Sequence, residues 1–219
     1  MTREMLSRAV VLDRIPKHGV CAEIGVLRGE FSNAILQIAR PKELHLIDPW
    51  AFQPNYPGRV FGGRDGKGQA DLDVWHQEVV TRFAGHRNVK VHRMFSTEIE
   101  KRFPDDYFDW MYIDGNHSYD VVSSDLDVCY RKTKDFGWIA GDDYAWLNEQ
   151  GVPAVQRAVC DFIGRNLFSQ VCIHGTQFML QKDKTAEYFD SVAHCWINHS
   201  KVQDGLGKRG GGFDARVLG

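Results

Sequence analysis

The most informative stretch of the sequence is residues 19–29, which read GVCAEIGVLRG. Its first half is a short apolar run, typical of a buried strand, and its second half carries Gly25 and Gly29. Glycine lets the backbone turn sharply and approach a ligand closely. Apolar residues at helical spacing follow from Glu30 onward, and Pro41 stops the helix. The stretch therefore predicts a strand, a glycine turn and a helix, which together form one βα unit.

Further apolar runs alternate with amphipathic segments along the chain, at residues 44–47, 89–92, 108–113 and 136–140. This alternation is the pattern of repeated βα units and a mostly parallel sheet. The last two runs, residues 170–174 and 177–181, are joined only by Gly175 and Thr176, which predicts a hairpin. We therefore expect an α/β, Rossmann-like fold with a mostly parallel seven-stranded sheet and an antiparallel last strand.

Composition limits the classes of partner. The chain has 219 residues with 27 basic and 29 acidic side chains, a balance that argues against nucleic acid. No apolar stretch approaches the roughly 18 residues that span a bilayer. Five cysteines without a C-x-x-C pair exclude a disulfide scaffold and a zinc ribbon. We expect a cytoplasmic protein that acts on a small molecule without a nucleic-acid or membrane partner, and a homo-oligomer stays open.

We expect residues 1–182 to form one domain, followed by a terminal helix at 183–199 and a flexible tail at 200–219. Residues 49–72 interrupt the alternation of strands and helices, since they are rich in glycine, proline and aromatic residues and show no period. A loop of this length is uncommon unless it covers or binds something. We call residues 49–72 the lid segment and expect it to cover a site, with a mobile insertion as the alternative.

Acidic and small polar residues follow successive strands. Glu23 lies at the end of the first strand, Asp48 after the second, Phe95 and Ser96 after the third, Asp114 after the fourth, and Asp142 and Asp143 after the fifth. Ligands of open α/β sheets bind beyond these strand ends, and an acid after the second strand can take ribose hydroxyls. The pattern indicates a cofactor that contains a nucleoside. The first turn lacks G-x-G-x-x-G, so an NAD(P)-binding Rossmann oxidoreductase is the alternative.

Four segments carry a family resemblance: EIGVLRGEFS, LIDPW, YIDGNHSY and AGDDY. Together they resemble class I S-adenosylmethionine-dependent methyltransferases, in particular the small-molecule O-methyltransferase branch that acts on sugars and macrolides. The likeness spans about residues 19–182 and implies S-adenosylmethionine as cofactor. It implies that Glu23, Gly25 and Gly29 hold the methionine part, Asp48 the ribose, and Phe95 with Ser96 the adenine. The complete implied cofactor set also includes Val26, Ser32, Asp114 and His117.

Three carboxylates, those of Asp114, Asp142 and Asp143, are expected to meet at neighbouring strand ends. Without compensation they would repel one another, whereas Mg²⁺ or another divalent cation would neutralise them through oxygen ligands. Related catechol-type enzymes hold magnesium at matching strand ends. The alternative is that these side chains cap loops and accept backbone hydrogen bonds, without a metal.

His117 and Asp114 are the candidate catalytic residues. His117 directly precedes the predicted helix cap Ser118, where the helix dipole favours the neutral imidazole that a proton acceptor needs. The chain has DGNH after the fourth strand and not the N/D-P-P-Y/F sequence of many N-methyltransferases, so oxygen is the expected acceptor atom. We therefore predict methyl transfer to a hydroxyl group. A structural histidine, and a protein that binds S-adenosylmethionine without catalysis, are the alternatives.

Overall fold

The computed structural model describes the backbone of residues 3–190 and 195–198 and the side chains of residues 8–186. The strands are β1 Val20–Ile24, β2 Glu43–Asp48, β3 Val89–Arg93, β4 Phe108–Ile113, β5 Thr133–Gly141, β6 Phe168–His174 and β7 Gln177–Lys182. They form one sheet in the order β3-β2-β1-β4-β5-β7-β6. β7 pairs antiparallel with both β5 and β6, and the pairs among β1 to β5 are parallel. The predicted Rossmann-like, mostly parallel seven-stranded sheet is confirmed.

Helices cover both faces of the sheet. They are α1 Arg3–Arg14, α2 Glu30–Ile38, α3 Gln69–Phe83, α4 Ile99–Arg102, α5 Tyr119–Lys132 and α6 Ala154–Ile163. β4 shows how one strand serves two cores, because successive side chains of a strand point to opposite faces. Trp110 and Tyr112 pack with residues of α1, α2 and α3, whereas Met111 and Ile113 pack with residues of α4, α5 and α6. This double burial explains why the strand sequences are almost continuously apolar.

The N-terminal helix α1 was not predicted from the sequence. Val11 and Leu12 of α1 and the following Ile15 are buried in the same core as Phe31 of α2. The helix lies against α2 and β7. Among the described residues, no helix is both long enough and apolar enough to cross a membrane.

The C-terminal prediction was wrong. Where a helix was expected at 183–199, the chain forms the antiparallel strands β8 Glu187–Asp190 and β9 Cys195–Asn198. The sequence there is rich in aromatic and β-branched residues, which favour strands, and a short apolar run does not distinguish the two states by its period. The predicted tail at 200–219 lies outside the described residues.

The lid segment contains two short 3-10 turns, Val60–Gly62 and Arg64–Gly66, and its last residues already belong to α3. Backbone hydrogen bonds connect different parts of the segment, for example the one that Gln53 N donates to Phe61 O at 2.8 Å. Gly62 is required by close packing, because a Cβ there would lie 1.8 Å from Tyr56 O. The segment is therefore a compact loop with its own internal contacts.

Candidate active site

A cavity of about 780 Å³ opens at the carboxyl ends of the parallel strands. Strand order reverses between β1 and β4, which is where open α/β sheets bind ligands. The volume of the cavity lies in the usual range for a small-molecule site. The predicted site residues that line it are Glu23, Gly25, Val26, Asp48, Phe95, Ser96, Asp114, His117 and Asp143. Gly29, Ser32 and Asp142 are absent from this lining.

The glycine turn after β1 forms one wall. Gly25 has a φ of 88°, and a Cβ at this position would lie 2.2 Å from the backbone oxygen of Asp114. Only glycine therefore fits between the ends of β1 and β4. Gly29 serves a different purpose, since it is the left-handed N-cap residue of α2 and faces Phe83.

Asp48 fixes the same turn by accepting hydrogen bonds. Its Oδ2 accepts from the backbone N–H groups of Val26 and Leu27, both at 3.0 Å, and its Oδ1 accepts from Trp50 N at 2.8 Å. A carboxylate offers about four acceptor positions, so roughly one remains for a ligand. The expectation that Asp48 takes both ribose hydroxyls is therefore too generous, and its main visible role is to hold the turn. Burial raises the pKa of Asp48, although the three backbone hydrogen bonds oppose this.

Glu23 is a buried carboxyl group in the wall of the cavity. Its pKa is raised to about 8, mainly by burial and also by the nearby Asp114, while a hydrogen bond from the Ser32 hydroxyl opposes the shift. Ser32 does not line the cavity itself, and it affects the site only through this hydrogen bond to Glu23. A cationic ligand would favour the ionised form of this carboxyl group.

Asp125 is a cavity residue that the sequence analysis missed. It lies on α5, is 2% exposed, and its pKa is raised to about 6 by burial, with the Ser96 side chain opposing through a hydrogen bond. Phe95 and Ser96 line the same part of the cavity. A signal was present in the sequence, because Asp125 shares the helix face of Val122, Leu126 and Cys129, which are all buried. An acid on an apolar helix face marks a polar partner or a ligand.

The predicted group of Asp114, Asp142 and Asp143, which we call the acidic cluster, differs from its prediction because it also contains an arginine. The guanidinium of Arg8, from α1, contacts Asp142 Oδ2 through Nε at 2.8 Å and through Nη2 at 2.7 Å. The same Nη2 lies 2.9 Å from Asp114 Oδ2. Asp142 Oδ1 accepts hydrogen bonds from Gln177 Nε2 and from Asp143 N. Asp142 is therefore fully used within the protein, and its prediction as a metal ligand is corrected.

The residues that could hold a metal are instead Asp114, His117 and Asp143. One ligand atom from each lies within 4.8 Å of the others. His117 Nε2 is 3.0 Å from Asp143 Oδ2. Asp143 has a φ of 59°, an uncommon conformation for a residue other than glycine, and such strain is frequent at functional sites.

Two buried polar atoms next to this set have no hydrogen-bond partner among the described residues, His117 Nδ1 and Asn116 Nδ2. The orientation of the Asn116 amide is fixed, because its Oδ1 accepts from Ser118 N at 2.8 Å. Ser118 occupies the predicted N-cap position of α5, but its own side chain makes no capping bond. Unsatisfied buried groups are rare and indicate a missing partner.

The lid segment reaches this part of the cavity through Arg59. Its guanidinium carbon lies 4.2 Å from the centre of the Trp146 ring, which in turn contacts His117 edge to face at 5.3 Å. Arg59 and Phe61 both line the cavity. Through these two residues the lid segment forms part of the cavity wall beside Trp146 and His117.

Comparison with known proteins agrees with the class that this fold and site define, a class I methyltransferase. Residues 22–144 match the family described as a methyltransferase domain. The match covers more than half of the chain, and the chain belongs to this family. It is an S-adenosylmethionine-dependent methyltransferase, with S-adenosylmethionine as methyl donor. The alternative of an NAD(P)-binding oxidoreductase is set aside. No curated protein matches the chain significantly.

Solved structures share the fold at low sequence identity. A Corynebacterium glutamicum protein has a TM-score of 0.55 at 14% identity and covers 84% of this chain and 82% of its own. A SAM-dependent methyltransferase from Aquifex aeolicus has a TM-score of 0.51 at 15% identity, covering 82% and 92%. The N-methyltransferase NodS from Bradyrhizobium japonicum has a TM-score of 0.51 at 12% identity, covering 83% and 96%. At these identities the likeness concerns the fold alone.

Proposed function

We propose that this methyltransferase acts on a hydroxyl group of a small molecule, such as a sugar or another natural product. The observation that carries the proposal is the pairing of His117 Nε2 with Asp143 Oδ2 at 3.0 Å, beside Asp114 in the wall of the cavity. A carboxylate that accepts from one imidazole nitrogen leaves the other nitrogen with a lone pair, which is the arrangement of a general base. A hydroxyl acceptor needs such a base, because it must lose its proton.

The two unpartnered atoms support the same class of acceptor. His117 Nδ1 lacks a donor, and Asn116 Nδ2 lacks an acceptor. A hydroxyl group both donates and accepts, so it could satisfy either atom once a side-chain movement exposes it, since both atoms are buried in this structure. A proton taken up at Nδ1 is stabilised by the Asp143 carboxylate on the opposite side of the ring.

The remaining residues hold and orient the reactants. S-adenosylmethionine, when bound, supplies an electrophilic methyl group attached to a positively charged sulfur. Glu23 and the fixed turn at Gly25 would hold its methionine part, Asp48 one ribose hydroxyl, and Ser96 with Asp125 its adenine. The lid segment, through Arg59 and Phe61, would exclude water from the cavity. Correct orientation can account for a large share of the rate increase in such a reaction.

We also propose that Asp114, His117 and Asp143 would hold a divalent cation. Two carboxylates and one imidazole suit Mn²⁺ or a similar ion better than the all-oxygen shell that Mg²⁺ prefers. When bound, the ion would favour the deprotonated form of an acceptor oxygen at neutral pH. His117 would then be a metal ligand instead of the general base, and the acceptor hydroxyl would lose its proton to solvent as it binds the ion.

The test is methyl transfer to a panel of hydroxylated sugars, phenols and catechols, compared with matched amines and followed by mass spectrometry. We expect methylation of hydroxyl compounds only. His117→Ala should lower kcat about 100-fold or more, the usual scale for loss of a general base, while the Kd for S-adenosylmethionine stays within about twofold of wild type.

His86→Ala is the matched control, because His86 lies on an exposed turn between α3 and β3 away from the cavity lining. Methylation confined to the amines, or an unchanged kcat in His117→Ala, would contradict the proposal.

A further inference from the structure

The acidic cluster already contains a cation of its own. Arg8 touches Asp142 and Asp114 together, with N···O distances from 2.7 to 2.9 Å. Its side chain is 13% exposed, and that of Asp142 is 4% exposed. The Arg8 guanidinium also lies 5.2 Å from the centre of the Phe31 ring. Charge, hydrogen bonding and ring contact together hold this arginine beside Asp114 and Asp142. We call this part of the cavity, with Asp114, His117 and Asp143, the reaction site.

We infer that Arg8 is the built-in counter-cation of the reaction site, and that a divalent cation binds Asp114, His117 and Asp143 only in competition with Arg8. The inference rests on the proposed metal set. It concerns a residue of α1 that no sequence motif of the site includes.

The first step of the inference is charge compensation. Carboxylates that meet at strand ends repel one another unless a positive charge lies among them. Arg8 supplies this charge to Asp114 and Asp142, and a planar guanidinium suits two carboxylates at once. The cluster therefore does not need a metal ion in order to form.

The second step is that both cations use the same carboxylate. Asp114 Oδ2 contacts Arg8, and Asp114 is also one of the three residues whose ligand atoms converge. A divalent ion on Asp114 would lie close to the guanidinium and would be repelled by it in this poorly solvated site. His117 Nε2 lies 3.0 Å from Asp143 Oδ2, and these two residues would supply the other two ligands.

The third step is that Arg8 can leave while α1 stays in place. The buried anchors Val11 and Leu12 lie about one helical turn further along α1. A rotamer change of Arg8 alone would release Asp114. The reaction site would then have two states, one closed by Arg8 and one with a divalent ion, and the position of the Arg8 side chain would report which is present.

Binding of Mn²⁺ to the metal-free protein, followed by electron paramagnetic resonance, tests this directly. We expect Arg8→Met to bind Mn²⁺ at least tenfold more tightly than wild type, and Asp143→Asn to bind it at least tenfold more weakly. Arg28→Met is the matched control, because it removes the same charge from an exposed pair with Glu78 outside the cavity lining. It should leave Mn²⁺ affinity unchanged within about twofold.

The outcomes separate the inference from the proposal beneath it. Equal Mn²⁺ affinity in wild type and Arg8→Met would overturn the competition while leaving the metal set in place. No Mn²⁺ binding in any variant would overturn both the competition and metal assistance, whereas the hydroxyl acceptor would still be decided by the methylation panel.

A measurement on the wild-type protein tests the inference even if Arg8→Met does not fold. Phenylglyoxal modifies accessible arginines, and mass spectrometry locates the modified residue. Saturating Mn²⁺ should increase the modification rate of Arg8 severalfold and leave that of Arg28 unchanged. An unchanged rate at Arg8 in the Mn²⁺-bound protein would overturn the inference.

Discussion

The two halves of the cavity are held in different ways. The cofactor half comprises Glu23, Gly25, Asp48, Ser96 and Asp125, and its shape depends on backbone: a turn with positive φ at Gly25 and N–H groups that donate to Asp48. The reaction half comprises Arg8, Arg59, Asp114, His117 and Asp143, and its shape depends on side-chain charges brought from four separate segments.

This difference has a physical consequence. A backbone turn packed against a neighbouring strand has no alternative arrangement, so a change there is expected to abolish binding. Charged side chains can exchange partners, so the reaction half can adopt more than one state with the same backbone. The fold thus provides a fixed place for the cofactor beside an adjustable place for the acceptor.

The largest effect is expected at Gly25. Gly25→Ala should weaken S-adenosylmethionine binding at least about 100-fold, because a Cβ would lie 2.2 Å from Asp114 O in a backbone conformation with a φ of 88°. Isothermal titration calorimetry measures the loss. Gly66→Ala is the matched control, since Gly66 also has a positive φ, 69°, but open space around it. If Gly66→Ala weakened binding equally, backbone strain and not the close approach at Gly25 would be responsible.

The next effect concerns the charge of Glu23. Its pKa is about 8 in the folded protein against a usual value of 4.5, so the folded state holds the proton more tightly than the unfolded chain does. Stability from this group is fully present below about pH 4.5 and is lost as the pH rises toward 8. Glu23→Gln has no titrating group at this position. Between pH 5 and pH 8, the free energy of unfolding of wild type should therefore fall by about 1–3 kcal/mol more than that of Glu23→Gln.

Urea denaturation of the cofactor-free protein at the two pH values measures this difference. Identical changes in wild type and Glu23→Gln between pH 5 and pH 8 would show that the buried carboxyl group does not titrate in this range. Glu78→Gln, which changes a partly exposed acid paired with Arg28, is the control and should follow wild type.

A smaller effect is expected at Asp125. Its pKa is about 6 in the folded protein, so it becomes an acceptor-only carboxylate as the pH rises through 6. If it accepts a hydrogen bond from the amino group of adenine, S-adenosylmethionine should bind about five- to tenfold more tightly at pH 7 than at pH 5. Asp125→Asn should remove this pH dependence, and Asp127→Asn, at a partly exposed position on the same helix, should keep it. Parallel pH profiles in all three proteins would exclude the contact.

The sequence was sufficient for the features that rest on local pattern. The positions of β1, β2, β3 and β4 follow from short apolar runs, and the glycine turn follows from Gly25 directly after β1. Acids at the ends of strands lie together because parallel strands end at one edge of the sheet. This follows from the topology of the sheet and does not require a particular contact between side chains.

The features that were missed depend on contacts between distant segments. Arg8 and Asp142 are 134 positions apart, and nothing in the periodicity of α1 says which carboxylate its arginine meets. The same limit placed Asp142 beside Asp143 among the predicted metal ligands, because neighbouring positions 142 and 143 cannot be told apart by spacing, and it left His117 out of that set. Asp125 was different, since an acid among buried Val122, Leu126 and Cys129 was readable in advance.

The smallest effect is expected at Arg59, which joins the adjustable half of the cavity to the lid segment. Arg59→Gln removes the cation–π contact with Trp146 at 4.2 Å, a contact worth about 0.5–1 kcal/mol at a partly exposed site. We expect kcat/KM for a methylated acceptor to fall about two- to fivefold, while the Kd for S-adenosylmethionine remains unchanged, because Arg59 belongs to the reaction half. The exposed Arg87→Gln should match wild type in both measurements. A loss of cofactor affinity in Arg59→Gln equal to the loss of kcat/KM would mean that the two halves are not independent, and that the lid segment holds both.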